Sequence, residues 1–529
     1  MAENKNIKSR APVKAEQAGN AHAVLRSARF ASGALMLCRE LTRDELISEL
    51  CFLLECIDSE HPDLFRITGL YSSVGYKLLK AGLSLKAYFI DKILHTENPF
   101  SIAAEAMGAA CLAAGSDDTG PAIIKGSAVS AELWGKTLED TVKSDLANLQ
   151  TLAGIRSEWI KDVILHLSGG DEAIWEAVMK LPPWIGDNPA WQQKASGPDG
   201  AVAPDRARKI RELMLKSDTW PDCAEELAEF HRSCGSGIFS KYRSFVWRRV
   251  PAFAPASVYN LSGINTEYQE SIRCIDGSSI TDTGTTGSFI GVESPDPVRF
   301  SDLISYELER EEVIQNTLHF LDGRPANNIL LYGDRGTGKS STIKALANEY
   351  HDRGLRIIEV PKGLLADFPL IIRRLAGRSL KFILFVDDLS FEDNDENFTA
   401  LKAILEGGLE IKPDNVLIYA TSNRKHLVKE RFSERAGLAS AGADDEGRAA
   451  DTIQEKLSLS DRFGMTVVFS SPDKKTYLEI VEGIAKKRGL EIDREYLHSE
   501  AMKWELQYNG RSPRTARQFV DWLEANMNR

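Results

Sequence analysis

No two cysteines of this sequence stand in a C-x-x-C spacing, and their number is odd: Cys38, Cys51, Cys56, Cys111, Cys223, Cys234 and Cys274. Neither a disulfide framework nor a zinc cluster is signalled. Most lie in apolar company, as in Cys51-Phe-Leu-Leu-Glu-Cys56, which is the pattern of reduced core thiols and fits a reducing compartment. Long hydrophobic runs are missing too. Nothing approaches the ~18 consecutive apolar residues of a membrane span, and the start of the chain lacks the continuous apolar stretch of a secretory signal. The expected location is cytoplasmic, with no membrane span. Positive charge is in deficit: 65 Lys and Arg against 77 Asp and Glu leave a formal charge of −12. A strong constitutive hold on nucleic-acid phosphates needs basic surface that releases counterions, so only a local basic patch remains open.

What is present suits a globular protein larger than one core. The chain has 529 residues, 43% hydrophobic and 27% charged, and cores stop growing well below that length. Residues 1–21 are polar, carry Lys5, Lys8, Arg10 and Lys14, and read as a disordered tail. Residues 22–275 read as a mostly α-helical N-terminal domain, with Leu46, Leu50, Leu53, Leu54 and Ile57 on one face and Val142, Leu146 and Leu149 on another. The proline-rich stretch 181–204 interrupts it as a loop that Trp184 and Trp191 anchor. Residues 276–297, rich in Gly, Ser and Thr, read as a linker. Beyond it, β-type runs at Ile329–Tyr332, Arg356–Val360, Phe382–Val386 and Val416–Ala420 alternate with helical stretches, the signature of a parallel sheet with crossover helices. The expected fold is therefore α/β over 298–470, closed by a small helical lid over 471–529, where Tyr477, Ile480, Val481 and Ile484 share a face, as do Phe519, Val520 and Leu523.

One motif carries most of the chemistry. A β-type run leads into Gly333-Asp334-Arg335-Gly336-Thr337-Gly338-Lys339-Ser340 and then into a helical sequence, which is G-x-x-x-x-G-K-[ST] in its strand–loop–helix context. The glycines let successive N–H groups face phosphate oxygens, and the helix directs its positive end to the same place. Lys339 reaches the β- and γ-phosphates, Ser340 offers a hydroxyl to magnesium, and Ser341 is the neighbour for the α-phosphate. A second apolar run, Phe382-Ile-Leu-Phe-Val386, ends in Asp387-Asp388, a Walker B pattern. Asp387 is the expected metal-shell carboxylate and Asp388 the residue that orients the attacking water. The implied ligands are ATP and Mg2+, since no N-K-x-D guanine signature is present.

From residue 298 onward these motifs resemble the AAA+ superfamily, in its order. Val416-Leu-Ile-Tyr-Ala-Thr-Ser-Asn423 is similar to the strand that ends in sensor 1, which places Asn423 near the γ-phosphate; as a bare residue it also suits a turn cap. Leu457-Ser-Leu-Ser-Asp-Arg462-Phe-Gly resembles the segment with the arginine finger, and the resemblance implies that Arg462 serves a neighbouring subunit in a nucleotide-dependent homo-oligomer; a surface ion pair is the other reading. Gly510-Arg-Ser-Pro513-Arg514 resembles sensor 2, with Arg517 as the alternative one turn later. The phrases PANNILLYGDRGTGKSS, FVDDLSFE and YATSNRKHL resemble a widespread bacterial family of AAA+ ATPases with a domain of unknown function. The departure is Asp388, where the superfamily more often has glutamate. That makes Glu392 a second candidate base.

Three further features stay open. Residues 434–452 lack apolar periodicity and read as a mobile insertion, with or without a partner. The cluster Phe239-Ser-Lys-Tyr242-Arg-Ser-Phe245-Val-Trp247-Arg-Arg249 reads as an amphipathic helix packed on a core, or as aromatics and cations for nucleic acid. His231 and Cys234 have no further ligands nearby, so no metal is expected there. The function implied is ATP hydrolysis coupled to remodelling or loading of a protein or nucleic-acid partner. A slowly hydrolysing, nucleotide-gated adaptor is the alternative.

Overall fold

The computed structural model describes residues 4–114, 136–187, 205–251, 285–389, 401–402, 405, 413–423, 462–508 and 510–527. They form two compact units, Met1–Lys241 and Tyr242–Arg529.

All regular structure described in the first unit is helical. In the helix Glu45–Ile57, Asp44 caps the N-terminus by accepting from Leu46 N and Ile47 N, and the expected face of Leu46, Leu50, Leu53, Leu54 and Ile57 is buried. Residues 4–21 are not a structureless tail: a helix spans Asn4–Gly33. Ala, Lys, Glu and Gln, frequent in that stretch, lose little side-chain freedom in a helix, and Ala21, Leu25 and Ala28 recur at helical spacing and are buried. Trp184 anchors its loop as expected, stacking on Tyr71 at 5.3 Å and donating from its indole to Tyr71 O at 3.1 Å. Trp191 lies outside the described residues. His231 is wholly buried beside Phe230 and Phe100, its Nδ1 3.2 Å from Gly235 O, and burial pushes its pKa down to about 4. None of the described cysteines forms a disulfide.

The second unit is built on a seven-stranded sheet: β1 (Ser244–Pro251), β2 (Thr285–Gly291), β3 (Ile329–Gly333), β4 (Leu355–Glu359), β5 (Lys381–Val386), β6 (Val416–Ser422) and β7 (Met465–Phe469), in the order β2-β1-β4-β5-β6-β3-β7. Only the β1–β2 pair is antiparallel. Strands 3 to 6 are the expected β-type runs; they are mainly apolar, as strands of a parallel sheet covered on both faces are. Alternate residues such as Ile329, Leu331, Ile383, Phe385, Leu417 and Tyr419 join Val313, Phe320, Ile343 and Leu346 in one core. The C-terminal helices Lys474–Lys487, Arg494–Gln507 and Pro513–Met527 close around Tyr477, Ile480, Val481, Phe519, Val520 and Leu523, the two faces expected of a lid.

Two expectations need correction at the sheet edge. The aromatic and basic cluster is not a helix beyond Lys241: from Ser244 it becomes β1, which pairs in parallel with β4 through Ser244–Val246. Phe245 and Trp247 alternate inward and are buried, so their period is 2, not 3.6. Trp247 Nε1 donates to Asp367 at 2.9 Å, and Arg249 grips the same carboxylate at 2.6 and 3.1 Å. Buried rings cannot stack on bases. Likewise 276–297 is not simply a linker, because β2 lies within it. Its glycines answer a steric need: a Cβ on Gly287 would stand 2.0 Å from the Trp247 ring, and one on Gly291 2.2 Å from Tyr242. The helical unit accordingly ends near residue 241 rather than 275.

Candidate functional site

The strand order puts β6 between β3 and β5, so three parallel strands deliver the P-loop, Thr421-Ser422-Asn423 and Asp387-Asp388 to one edge of the sheet. At Gly333 the chain turns with φ 138° while a Cβ there would lie 2.0 Å from Phe469 O; only glycine fits that approach. Asp334 N donates to the same Phe469 carbonyl at 3.1 Å, and Asp334 Oδ2 accepts from Ser471 N at 3.0 Å. Thr337 is buried, its Oγ1 donating to Asp334 O at 2.9 Å. Arg335 is exposed, and Ser341 is half-buried on the helix Lys339–Tyr350.

Lys339 folds back over this loop. Its ammonium donates to Gly333 O at 2.9 Å, to Asp334 O at 2.7 Å and to Asn423 Oδ1 at 3.3 Å. Burial pushes its pKa down to about 8, against the opposing pull of Asp334, Asp387 and Asp388. Ser340 Oγ donates to Asp387 Oδ1 at 2.6 Å. Asp388 sits in a left-handed conformation, φ 50°, rare outside glycine and a mark of functional strain. Its N–H donates to Thr421 Oγ1 at 2.9 Å, its Oδ1 accepts from Asn423 Nδ2 at 2.6 Å, and its Oδ2 lies 3.7 Å from Lys362 Nζ.

The site therefore brings together Lys339, Ser340, Asp387, Asp388 and Asn423. Arg514 approaches from the C-terminal helices: its N donates to Gly336 O at 3.2 Å, and its charge adds to the pressure on Lys339. Arg517 lines a cleft together with Thr337, Gly338 and Thr342. Arg462 is half-buried just ahead of β7. Glu392 and the insertion 434–452 lie outside the described residues. Two participants escaped the sequence reading. Thr421 donates to Asp387 Oδ1 at 2.6 Å while accepting from Asp388 N; its signal was the T-S-N run closing β6. Lys362 follows β4 with no motif of its own.

Residues 279–527 match the family described as "Protein of unknown function (DUF815)". The chain is 25% identical over 229 residues to the ATP-dependent zinc metalloprotease FtsH of Aquifex aeolicus, covering 40% of this chain and 34% of that protein. It is likewise 25% identical over 240 residues to a putative 26S proteasome regulatory subunit homolog of Methanocaldococcus jannaschii, covering 39% and 63%. By these matches the chain is similar to AAA+ ATPases. The chain spans about a third of the length of the FtsH relative and under two thirds of the proteasomal one. Among solved structures, the Thermotoga maritima RuvB Holliday junction branch migration motor is 17% identical, with a TM-score of 0.29, over 42% of this chain and 63% of that one. In the seven-stranded sheet the P-loop, the paired aspartates and Asn423 occupy adjacent strand ends, and no described helix is long and apolar enough to cross a membrane.

Proposed function

We propose that this protein binds ATP with Mg2+ at the cradle of Gly333–Ser341 and hydrolyses it to drive rearrangement or loading of a partner macromolecule. The observation that carries the reading is the 2.6 Å bond from Ser340 Oγ to Asp387 Oδ1, one helical residue from the Lys339 ammonium. A hydroxyl and a carboxylate are hard oxygen donors, the set that Mg2+ takes while keeping several waters and phosphate oxygens. Ser340 and Asp387 would hold the ion, which supplies charge neutralisation to the phosphates. Gly336, Thr337, Gly338 and Ser341 offer backbone or hydroxyl donors to phosphate oxygens, and Lys339 exchanges carbonyl partners for the β- and γ-phosphates. Asp388, held by Asn423, orients a water whose oxygen bonds to the γ-phosphorus as the bond to the β-phosphate oxygen breaks. Glu392 is the alternative for that role. Arg514 answers the γ-phosphate from the lid, and Arg462 stabilises transition-state charge in a neighbouring copy.

The partner is a protein or a nucleic acid; the formal charge of −12 favours protein. The protein acts in the cytoplasm as a nucleotide-dependent homo-oligomer. One observation favours the slower adaptor reading: both Asp388 oxygens face protein groups, Asn423 at 2.6 Å and Lys362 at 3.7 Å, on a side chain one methylene shorter than glutamate. Single-turnover rates separate a switch from a motor.

Mixing experiments test the assembly. Arg462→Ala is expected to bind ATP and lose most hydrolysis, whereas Lys339→Ala loses binding. Mixed together, the two should regain activity, because a mixed interface pairs an intact P-loop with an intact finger. ATPase rate against mixing ratio, with light scattering for association, reads this out. Full activity of a monomer lacking Arg462 would remove the trans mechanism.

A further inference from the structure

Three sides of the helix Leu64–Ala81 are taken up within the helical unit. Ile67, Tyr71, Val74 and Leu78 are buried in its core. On one flank Arg66 lies over the Phe52 ring at 4.4 Å, and Lys77 bridges Glu45 and Glu49 of the preceding helix at 2.8 and 2.9 Å. On the opposite flank Gly75 faces Trp184, where a Cβ would stand 3.0 Å from the indole. The fourth side carries Phe65, Gly69, Ser72, Tyr76 and Leu79, all exposed. Phe65 is 91% exposed, Tyr76 65% and Leu79 60%.

Steps of four and three residues keep a stripe on one side of a helix, the seam along which two helices pack. Gly69 stands at its middle. A glycine inside a helix loses more backbone freedom on folding than alanine, and the fold gives no reason for this one: a Cβ there would meet no atom within 4 Å, and its φ is not positive. What it allows is the close approach of another backbone. Ser72, the other small residue, already donates from its hydroxyl to Thr68 O at 3.0 Å, so it can enter a dry contact without stranding a donor. Opposite charges mark the two ends: Glu60 is exposed ahead of the helix and Lys80 in its last turn, and no ion pair among the described residues engages either. Laid antiparallel on a copy of itself the stripe is its own complement. Phe65 meets Tyr76, Gly69 meets Ser72, and Lys80 stands beside Glu60. Parallel packing would instead set Lys80 against Lys80.

We propose that this face is a docking surface for a second copy of the chain: the helices Leu64–Ala81 of two subunits cross antiparallel about a two-fold axis at Gly69 and Ser72, giving a dimer that forms without nucleotide. The inference does not rest on the ATP reading. A two-fold contact closes at two subunits, whereas an arginine that serves a neighbouring copy makes a head-to-tail contact. The two use different surfaces, one in each unit of the chain, and can coexist.

Sedimentation velocity of the full chain without nucleotide, over a concentration series, reads the dimer directly. Phe65→Glu is expected to raise the dissociation constant about a hundredfold or more, since a two-fold interface loses the contact twice. The melting temperature of the monomer should not change, because so exposed a ring supports nothing within it. Gly69→Gln separates docking from folding. Measured below the dissociation constant, the better helix former should raise the melting temperature, while its side chain blocks the crossing and weakens the dimer about tenfold or more. Lys80→Glu and Glu60→Lys should each weaken it about threefold, and the double variant should regain the parent value. A parent that is monomeric at every concentration, a dimer that Phe65→Glu leaves intact, or association that appears only with Mg-ATP overturns the proposal; the last leaves the ATP reading and the Arg462 contact as they stand. Losses that add in the double charge variant, instead of cancelling, overturn the antiparallel pairing.

Discussion

Replacing Lys339 by methionine removes the only ammonium in the P-loop while keeping a side chain of similar length. The ammonium makes two short bonds, 2.9 Å to Gly333 O and 2.7 Å to Asp334 O, a reach that two phosphate oxygens would take over on binding. Hydrogen bonds to charged groups contribute ~1.5–3 kcal/mol each. Two of them give ~3–6 kcal/mol, and so ~10² to 10⁴ in dissociation constant. The fold should not suffer. Lys339 is 6% exposed, and its pKa of about 8 records that burial disfavours the charge, so an apolar chain of that length is tolerated and the melting temperature should hold or rise. The assay is a calorimetric titration with Mg-ATP beside a thermal melt. Affinity within about threefold of the parent would refute the P-loop assignment, whatever the melt gives.

The same lysine makes a pH signature. Its folded pKa, about 8, lies below its ordinary 10.5, so between those values the unfolded chain holds a proton that the folded one has lost; the cost of burying the charge is present below about 8 and relieved as pH rises through that window. Phosphate restores the proton, so nucleotide binding at pH 9 should take up protons at this site, and calorimetry in buffers of different ionisation enthalpy should detect it; no uptake refutes the direction of the shift. Asp388→Asn should keep ATP binding and slow turnover by ~10² or more; normal turnover there, with loss in Glu392→Gln, moves the water-orienting role to Glu392. Thr421→Val takes the hydroxyl acceptor away from Asp388 N–H and is expected to lower kcat with KM little changed; a change in KM alone would place Thr421 outside the catalytic group. Gly287→Ala forces a methyl into the Trp247 ring at 2.0 Å, an overpacking expected to cost ~1–3 kcal/mol in a chemical denaturation curve; an unchanged midpoint would mean that β2 does not pack there.

The site was more legible than the fold around it because its chemistry is local. A phosphate cradle needs glycines at fixed offsets and a cation at the helix start, so Gly333 to Ser340 can be read in one pass. Asp387 and Asn423 are readable for a related reason: each closes an apolar strand. Thr421 was not, since a threonine in a strand is ordinary and its partners lie 34 and 33 positions away in the chain. Lys362 is likewise defined only by what folding brings near it. At the sheet edge, composition misled. Phe245, Trp247 and Arg249 among basic residues suggested a helical face, and glycines in 276–297 suggested freedom, whereas in the fold the aromatics press on those glycines. The insertion 434–452 and Glu392 remain expectations drawn from sequence.

The bond from Ser471 N to Asp334 Oδ2, beside that from Asp334 N to Phe469 O, ties the chain that leads into the C-terminal helices to the P-loop itself. Recombination at the 470/471 boundary would separate a donor from its acceptor within the phosphate-binding loop, so a foreign lid would be inherited with a misfitting cradle. These two parts should therefore descend together, and a chimaera joined at that point should need a compensating change at residue 334 before it binds nucleotide.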